Sequence, residues 1–244
     1  MAIVEVKKLV KNYGNFQAVK GISFNIEKGE IFGLIGPNGA GKTTTLRVLS
    51  TLLTIASGSV KINKYNLEKE PNEIRKIISY LPEDAGAYKN LTGLEYLNFI
   101  ASFFEHDQKN KIVERGVEIA SLEDRINDKV DTYSKGMKRR LLVGRALMIE
   151  PKLAILDEPT SGLDVNNAQE IRNIIKNTAK NGTTFLVSSH NMLEVEYLCD
   201  RIALIDDGII VEEGKPKDLM QKYKANNIEE VFTKVVKWVH WAVS

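Results

Sequence analysis

Nine consecutive residues have the types and the spacing that could hold a chain of phosphates. They read G-x-x-x-x-G-K-T-T, and the glycines let backbone N–H groups point inward at phosphate oxygens. The lysine supplies a positive charge for the outer phosphates, and the threonine hydroxyl after it can hold Mg²⁺. The residues, which we call the phosphate loop, are Gly36, Pro37, Asn38, Gly39, Ala40, Gly41, Lys42, Thr43 and Thr44.

Apolar patterns on both sides of the phosphate loop predict the elements that carry it. Residues 31–35 are typical of a short buried strand, and residues 43–53 predict a helix with one apolar side. That side consists of Leu46, Leu49, Leu52 and Leu53. The loop would therefore lie at a helix N-terminus, where the helix dipole favours an anion. This context disfavours a glycine turn that only happens to precede a lysine.

A pair of carboxylates directly follows a second apolar run. Residues 153–156 are continuously apolar, as expected of a strand covered on both faces. Asp157 would emerge at the end of that strand, where it could reach Mg²⁺ or its waters. Glu158 could accept a proton from an attacking water, which is the role of a general base. With the phosphate loop upstream, the pair predicts phosphoryl chemistry.

The elements predicted around these residues are those of an α/β protein. Residues 3–35 are β-rich, and residues 22–26 alternate between apolar and polar types, as in a half-exposed antiparallel strand. Helical patterns replace strand patterns from about 85 to 150, which indicates a helical insertion. Further strands are expected at 60–62, 79–81, 153–156, 183–187, 202–205 and 209–211, and further helices at 72–78, 164–181 and 192–198. Strands that alternate with helices after a phosphate loop predict a doubly wound core.

Two stretches have a structural and a functional interpretation. The basic run at residues 138–140 is expected to be a solvated helix face, with phosphate contact as the alternative. Ile228, Val231, Phe232, Val235 and Val239 share one helical stripe. We expect this stripe to pack on the body of the protein, and the alternative is a helix that presents Trp238 and Trp241 to a partner or a membrane.

Composition limits the classes of protein that fit. The 244 residues carry a formal net charge of +2, from 34 basic and 32 acidic residues, which gives no electrostatic reason to expect nucleic acid as a partner. The single cysteine, Cys199, cannot form a disulfide within the chain and indicates a reducing compartment. No signal peptide and no apolar run near the roughly 20 residues of a membrane span is evident, so we expect a soluble protein.

Four more segments complete a resemblance to the nucleotide-binding subunits of ATP-binding cassette (ABC) transporters. Tyr13 occupies the place of the aromatic residue that stacks on adenine, and residues 133–137, here called the signature segment, occupy that of Leu-Ser-Gly-Gly-Gln. Residues 161–164 resemble the loop that crosses between subunits, and His190 resembles the switch histidine. The resemblance spans residues 3–215. It implies a P-loop NTPase core with a mixed sheet, an N-terminal antiparallel β subdomain and an α-helical insertion.

The resemblance also implies a role for each residue. Two subunits of such an ATPase pack head to tail around two ATP molecules, with Lys42, Glu158 and His190 as the catalytic residues of each. His190 would hold the γ-phosphate and position the water beside Glu158. The signature residues that would act on the ATP of the partner are Ser134, Lys135, Gly136 and Met137. Asp164 would link the two sites.

Three residues depart from the family pattern. Lys135 replaces a glycine and Met137 replaces the glutamine, whose side-chain hydrogen bonds a methionine cannot make. Glu83 stands where most members have glutamine, and the implied ligands of Mg²⁺ are Thr43, Asp157 and Glu83. These variants resemble the daunorubicin-resistance branch of drug exporters.

The resemblance implies further partners and a location. ATP hydrolysis would drive export by a separate membrane permease, for which residues 91–104 are the candidate docking surface. We therefore expect a cytoplasmic protein that is peripheral at the inner face of the cell membrane. The working dimer could contain two copies of this chain or a paired ABC subunit. We expect residues 1–215 to form the ATP-binding domain, with a helical subdomain at about 85–150, and residues 216–244 to form a helical extension.

Two other functions use the same chemistry. One is an ABC-type ATPase of translation or DNA repair, although such proteins carry tandem cassettes or a long coiled coil, which this chain lacks. The other is an ATPase of iron–sulfur cluster assembly, which would need partners because the chain has one cysteine.

Overall fold

The computed structural model of the chain describes residues 1–104 and 109–243, with side chains as far as Lys237. The strands are β1 (Ala2–Tyr13), β2 (Phe16–Glu27), β3 (Ile31–Ile35), β4 (Ser57–Ile62), β5 (Tyr65–Asn66), β6 (Ile78–Leu81), β7 (Leu153–Asp157), β8 (Thr184–Ser189), β9 (Arg201–Asp206) and β10 (Ile209–Gly214). The helices are α1 (Lys42–Leu49), α2 (Pro71–Arg75), α3 (Gly93–Ala101), α4 (Lys109–Ala120), α5 (Lys135–Leu147), α6 (Val165–Lys180), α7 (Met192–Leu198), α8 (Pro216–Tyr223) and α9 (Ile228–Val243).

The smaller sheet is antiparallel and has the order β2-β1-β4-β5. In β2, Ile22, Phe24 and Ile26 are buried, whereas Ser23 and Asn25 between them are exposed. The alternation follows from the period of two of a strand, which sends successive side chains to opposite faces. The predicted half-exposed antiparallel strand is therefore confirmed.

The larger sheet is mixed and has the order β10-β9-β3-β8-β7-β6. Its neighbours are parallel except for β10, which pairs antiparallel with β9 at the edge. In β3, Ile31 and Ile35 belong to one apolar core, and Phe32 and Leu34 belong to a second core. Covering on both faces explains why such strands read as continuous apolar runs.

Parallel pairing brings the carboxyl ends of three strands to one edge of this sheet. Ile35 of β3 is paired with Ser189 of β8, and Asp157 of β7 is paired with Ser188 of β8. The segments that follow these residues include the phosphate loop, Glu158 and His190. The topology thus places the predicted chemical residues next to one another.

Helices dominate the described residues between 85 and 150. This stretch contains α3, α4, α5 and two short 3₁₀ helices at Glu123–Asn127 and Val130–Thr132. A capping box opens α3, in which Thr92 and Glu95 satisfy each other's backbone N–H groups. The expected helical insertion is present.

Two predicted helices were too long. Helix α1 ends at Leu49 and leaves Leu52 60% exposed, because Thr51 adopts a left-handed φ of +62°. The N–H groups of Thr51 and Leu52 bond to the carbonyls of Val48 and Arg47, which is the pattern of a Schellman motif. Glycine usually occupies this left-handed position. Because Thr51 stands there instead, the sequence did not indicate where α1 ends. Helix α2 stops at Arg75, and Ile78 begins β6 instead.

The segment after β10 packs on the body of the protein. Ile228, Val231 and Val235 of α9 are buried, and the Ile228 N–H donates to Glu196 Oε1 at 2.7 Å. These contacts confirm the expected packing, whereas the side chains of Val239, Trp238 and Trp241 lie outside the described part. Helix α8 lies within residues 216–244, for which we expected a helical extension, although its separate bounds were not predicted. Within the described ranges, none of the helices combines the length and apolarity of a membrane-crossing segment.

Candidate active site

The phosphate loop connects the end of β3 to the start of α1 and is fixed by close backbone approaches. A Cβ on Gly36 would lie 2.0 Å from the Ile205 carbonyl oxygen, so a side chain does not fit there. Gly41 has a φ of +102°, and a Cβ there would lie 2.6 Å from the Ala18 carbonyl oxygen of β2. The outer part, Pro37–Gly39, is exposed, whereas Ala40 is buried. The two fixed glycines are therefore required by sterics.

Lys42 points back into the loop that precedes it. Its Nζ donates to the carbonyls of Gly36 at 2.7 Å and Pro37 at 3.1 Å. Only 5% of Lys42 is exposed, and burial lowers the pKa of its ammonium group, although the Glu158 carboxylate opposes that shift. A cation held this way lies where the phosphate oxygens of a ligand would enter.

Thr43 and Asp157 come from separate elements and meet in front of the loop. Thr43 Oγ1 donates to Asp157 Oδ1 at 3.3 Å, and Thr44 follows on the same partly buried turn of α1. Asp157 is 1% exposed and also accepts a hydrogen bond from Ser188 Oγ. The sequence analysis did not identify Ser188 as a site residue. The available indication was its hydroxyl group near the end of a predicted strand, which in the structure pairs with β7.

Glu158 has the most constrained backbone of the site. Its φ is +48°, a left-handed conformation that costs a non-glycine residue on the order of 1 kcal/mol or more. Its carboxylate is buried, with Oε1 3.6 Å from Lys42 Nζ and Oε2 2.9 Å from His190 Nδ1. Its N–H donates to Ser188 Oγ at 3.0 Å. Left-handed φ values also occur at described residues outside the site, such as Glu150, so the contacts of the Glu158 carboxylate carry more weight than its backbone conformation.

His190 lies at the junction of β8 and α7. Nearly half of its side chain, 47%, is exposed, so one edge of the ring faces solvent while Nδ1 contacts Glu158. Asn191 caps α7 by accepting the Glu194 N–H at 3.3 Å. The position of His190 therefore depends on where the strand ends and the helix begins.

Glu83, which we expect to be a metal ligand with Thr43 and Asp157, contacts the loop after β7. It is exposed, and its Oε1 accepts a hydrogen bond from Ser161 Oγ at 3.1 Å. Ser161 belongs to the loop after β7, so Glu83 joins two loops. The described residues contain no group of three or more His, Cys, Asp and Glu side chains that could hold a metal ion.

Arg139 contradicts the expectation of a solvated basic face. It is only 8% exposed, and its guanidinium donates to backbone carbonyls around the end of β7 and after β6. Arg140, its neighbour, donates to the Ser121 carbonyl and pairs with Glu170. A helix of period 3.6 turns the two arginines in different directions, and only one of them meets the catalytic loops.

The signature segment begins α5. Ser134 caps the helix by accepting the Met137 N–H at 3.2 Å, and both Ser134 and Lys135 are exposed. Gly136 packs so closely that a Cβ would lie 2.0 Å from Asn167 Oδ1. Met137 packs against the apolar core. The start of α5 therefore presents Ser134 and Lys135 outward while Gly136 touches α6.

Asp164 caps α6 at the end of the loop after β7. Its carboxylate accepts the Asn167 N–H at 3.0 Å and the Asn167 side-chain amide at 2.6 Å. The hydrogen bond from the Asn167 backbone lowers the pKa of Asp164. Asn167 also lies against Gly136, so one amide side chain joins the signature segment to this loop.

Tyr13 stands at the tip of the β1–β2 hairpin. It is 47% exposed, lies opposite Phe16 in the hairpin register, and has Lys11 Nζ 5.5 Å from its ring centroid. Ala18, further along β2, is the residue whose carbonyl approaches Gly41. The hairpin is therefore anchored to the phosphate loop and leaves one aromatic face open.

A parallel sheet with a glycine-rich loop, a helix N-terminus and strand-end carboxylates defines a nucleotide-binding ATPase of the α/β class. Comparison with known proteins gives the family. The model of the family described as ABC transporter matches residues 19–161. The chain therefore belongs to the ABC transporter family, as an ATP-binding subunit that hydrolyses ATP.

Individual relatives agree with this membership. The linearmycin resistance ATP-binding protein LnrL of Bacillus subtilis (strain 168) is 39% identical over 228 residues, which are 93% of this chain and 73% of that protein. The daunorubicin/doxorubicin resistance ATP-binding protein DrrA of Streptomyces peucetius is 34% identical over 226 residues, which are 91% of this chain and 68% of that protein. The resemblance to the daunorubicin-resistance branch is thus confirmed.

A solved structure gives the same fold. It is a dimeric ATP-binding cassette in a post-hydrolysis state, bound to ADP and Pi. Its TM-score is 0.75 and its sequence identity 27%, and the match covers 87% of this chain and 98% of that chain. The predicted P-loop NTPase fold, with an antiparallel β subdomain beside a mixed sheet, is confirmed.

Proposed function

We propose that the nucleotide hydrolysed by this subunit is MgATP, that the subunit works as one half of a head-to-tail dimer, and that it powers export through a separate membrane permease. The observation that carries the proposal is the Glu158 carboxylate, which lies between Lys42 Nζ at 3.6 Å and His190 Nδ1 at 2.9 Å. A buried carboxylate flanked by a cation and a histidine at the mouth of a phosphate loop is suited to activate water beside a terminal phosphate.

Binding would begin at the phosphate loop, residues 36–44. Its backbone N–H groups and the N-terminus of α1 would surround the phosphates of ATP. Lys42 would exchange the carbonyls of Gly36 and Pro37 for phosphate oxygens, because a charged acceptor forms the stronger hydrogen bond. Tyr13, with one open face, would stack on the adenine ring.

Thr43 and Asp157 would hold Mg²⁺. Their side-chain oxygens are hard donors of the kind that Mg²⁺ prefers, and they already lie 3.3 Å apart. The ion would neutralise part of the charge on the phosphates. Glu83 is the third candidate, and it would have to release Ser161 in order to join them.

Hydrolysis would proceed by in-line attack of water on the γ-phosphorus. Glu158 would take a proton from the water as its oxygen bonds to phosphorus and the bond to the departing ADP oxygen breaks. His190 would hold the γ-phosphate and, through its contact with Glu158, would keep the carboxylate aimed at the water. Lys42 would stabilise the charge that develops on the phosphate oxygens.

The signature segment would act on the ATP of a second subunit. Ser134 and Lys135 are exposed at the start of α5, as a contact with a partner requires. Ser134 and the Gly136 backbone would contact the γ-phosphate, and Lys135 would add a positive charge that the family's glycine lacks. Met137 would support α5 from the core. Asp164 would connect the two sites through Asn167, which touches Gly136.

A permease would dock at an aromatic patch formed by Tyr88, Phe99 and Phe103. These side chains are 57%, 40% and 69% exposed, and their rings stack edge to face with centroids 5.4 Å and 5.0 Å apart. Exposed aromatic clusters are typical of protein interfaces. The patch follows the Glu83 loop along the chain. Docking of the permease there would therefore move this loop, which contacts the loop after β7 at Ser161. Membrane association at the cytoplasmic face would follow from it.

Relatives support export over the alternatives. The similar proteins include one named for linearmycin resistance and one for daunorubicin/doxorubicin resistance. Neither name concerns translation, DNA repair or iron–sulfur assembly. We therefore propose that the permease moves its substrate outward.

The test is to identify what the protein binds in cells that make it natively. After gentle crosslinking and fractionation, we expect one multi-span membrane protein to co-purify with it. Replacing Tyr88 and Phe103 by serine should abolish this recovery, whereas Tyr197→Ser, at a 72% exposed tyrosine of α7, should not. Recovery with ribosomes, DNA or cluster-assembly proteins instead would overturn the transport function.

A further inference from the structure

We propose that Arg139 is a positioning residue of the ATPase, which ties the helix of the signature segment to the backbone that carries the general base. The proposal rests on the ATPase function above. Arg139 Nε donates to the Pro159 carbonyl at 2.7 Å. The terminal nitrogen Nη2 donates to the carbonyls of Asp157 at 3.0 Å and Glu158 at 2.7 Å. The terminal nitrogen Nη1 donates to the carbonyls of Pro82 at 3.3 Å and Glu83 at 3.2 Å.

This arrangement uses the whole hydrogen-bonding capacity of the side chain. A guanidinium has five N–H donors in a rigid plane, and the five bonds of Arg139 match them one for one. Lysine has three donors on a flexible stem and glutamine has two, so neither can reach both loops in the same way. The acceptors are all backbone carbonyls, which means that Arg139 determines main-chain positions.

The main chain held by Arg139 includes the backbone of the general base. Three of its acceptors belong to consecutive residues, Asp157 to Pro159, at which the chain leaves β7. Glu158, in the middle, has the left-handed φ of +48°. Strained conformations persist only where surrounding contacts over-determine them. Arg139 supplies one charge-assisted contact on each side of Glu158, to the carbonyls of Asp157 and Pro159, and one to the carbonyl of Glu158 itself.

Charge favours the arginine in this place. Burial lowers the pKa of the Arg139 guanidinium, while the carboxylates of Glu83, Asp157 and Glu158 oppose that shift. The cation therefore offsets part of the negative charge gathered at the end of β7. Replacing Arg139 would free the Glu158 carbonyl and also raise the local excess of negative charge.

The same side chain joins the base to two other functional segments. Arg139 lies on α5 five residues after Ser134, and it also reaches the carbonyl of Glu83. A shift of α5 on contact with a second subunit would therefore move the Glu158 backbone and the Glu83 loop together. Arg139 would act on the rate of the chemical step rather than on the affinity for ATP.

The experiment compares Arg139→Lys and Arg139→Gln with the unaltered chain, with Arg140→Gln as the matched control. We expect kcat for ATP to fall on the order of 10-fold to 100-fold in both Arg139 variants, as for small misplacements of catalytic groups. KM and the affinity for ATP should stay within about 3-fold, because the phosphate loop is untouched. Arg140→Gln removes a guanidinium that bonds Ser121 and Glu170, and its kcat should be unchanged.

A rescue experiment separates positioning from general destabilisation. In Arg139→Ala, free guanidinium at millimolar concentration should restore part of kcat, whereas Arg140→Gln should gain nothing from it. Unchanged kcat in folded Arg139→Gln or Arg139→Lys would overturn the proposal. So would losses of kcat that match the loss of folded protein and do not respond to guanidinium. Hydrolysis by the unaltered chain tests the proposed function, whereas the ratio of variant to unaltered kcat tests Arg139.

Discussion

Glu158 combines a buried carboxylate with a left-handed backbone φ. The carboxylate contacts Lys42 and His190, and the N–H is held by Ser188. At the residue scale, the geometry therefore favours a general base.

Glu158→Gln should keep the shape of the side chain and remove its ability to accept a proton. We expect kcat for ATP hydrolysis to fall by about 10²-fold to 10⁴-fold, while ATP binding persists. Single-turnover hydrolysis measures the first effect and nucleotide titration the second. Glu150→Gln, at an exposed carboxylate that pairs with Arg115, is the control and should be as active as the parent. Hydrolysis at the parent's rate by Glu158→Gln would remove Glu158 from the role of base.

Lys42→Ala should weaken ATP binding. Loss of one charge-assisted contact with the phosphates corresponds to about 1.5–3 kcal/mol, or roughly 10-fold to 100-fold in Kd. The exposed Lys76 pairs with Glu73, and Lys76→Ala should leave Kd unchanged. Isothermal titration with ATP and Mg²⁺ gives both values. Equal affinities for ATP in Lys42→Ala and the parent would show that the loop does not hold phosphate.

Some site residues could be predicted from the sequence because their type, spacing and order are sufficient. Lys42, Asp157, Glu158 and His190 belong to this group, and parallel pairing of three strands brings them together. Arg139 could not be found in this way. Its burial depends on two loops that lie far from it along the chain, and a run of three basic residues on a helix reads as a solvated face.

At the scale of elements, Glu194 joins the loop after Glu158 to the helix after His190. Its carboxylate accepts Thr160 Oγ1 at 2.7 Å and pairs with Arg172 of α6 at 2.7 Å. Glu194 is 9% exposed, so the pair is shielded from water and is screened less than a surface pair. The positions of α6 and α7 are thereby coupled to the loop after β7.

Glu194→Ala and Arg172→Ala should each destabilise the protein, because each leaves a partner without its counter-charge. A double-mutant cycle should give a coupling of about 1–3 kcal/mol in the free energy of unfolding, measured in urea. The exposed pair Lys76–Glu73 provides the comparison cycle, with a smaller expected coupling. Additive effects of the Glu194 and Arg172 substitutions would show that the two helices are not coupled through this pair.

How accurately the ends of a helix can be predicted depends on what ends it. Helix α7 was predicted with its observed bounds, and in the structure its start is marked by an ordinary N-cap, Asn191. Helix α1 was predicted too long, because Thr51 ends it in a position where glycine is usual and the leucines continue the apolar pattern. The pattern of apolar residues therefore predicts the buried face of a helix well, but it does not predict an unusual backbone conformation that ends the helix.

For the whole molecule, the antiparallel half and the parallel core were predictable from strand periodicity and from continuous apolar runs. The order of strands in the larger sheet was not, since β8 lies between β3 and β7 although it follows both in the sequence. Strand order depends on the crossover connections, and the periodicity of apolar residues within a strand carries no information about them. That order nevertheless decides the site, because β8 carries Ser188 and leads directly to His190, between the phosphate loop and the carboxylates.

The exposed start of α5 makes a prediction at this largest scale. One subunit leaves Ser134 and Lys135 open to solvent, and a second subunit would cover them by offering the phosphates of its own ATP. Glu158→Gln with ATP and Mg²⁺ should therefore shift from 27.4 kDa to twice that mass in size-exclusion chromatography with light scattering. Hydrolysis is blocked in this variant, so the nucleotide that joins the subunits is retained.

Adding Ser134→Arg to Glu158→Gln should prevent the dimer while leaving ATP binding intact, because the arginine occupies the contact surface and the phosphate loop is unchanged. Thr233→Arg, at an exposed position of α9, is the control and should still dimerise. A dimer that survives Ser134→Arg would place the interface elsewhere. Loss of ATP binding together with the dimer would mean that Ser134 serves its own subunit's nucleotide, and the head-to-tail arrangement would then be wrong.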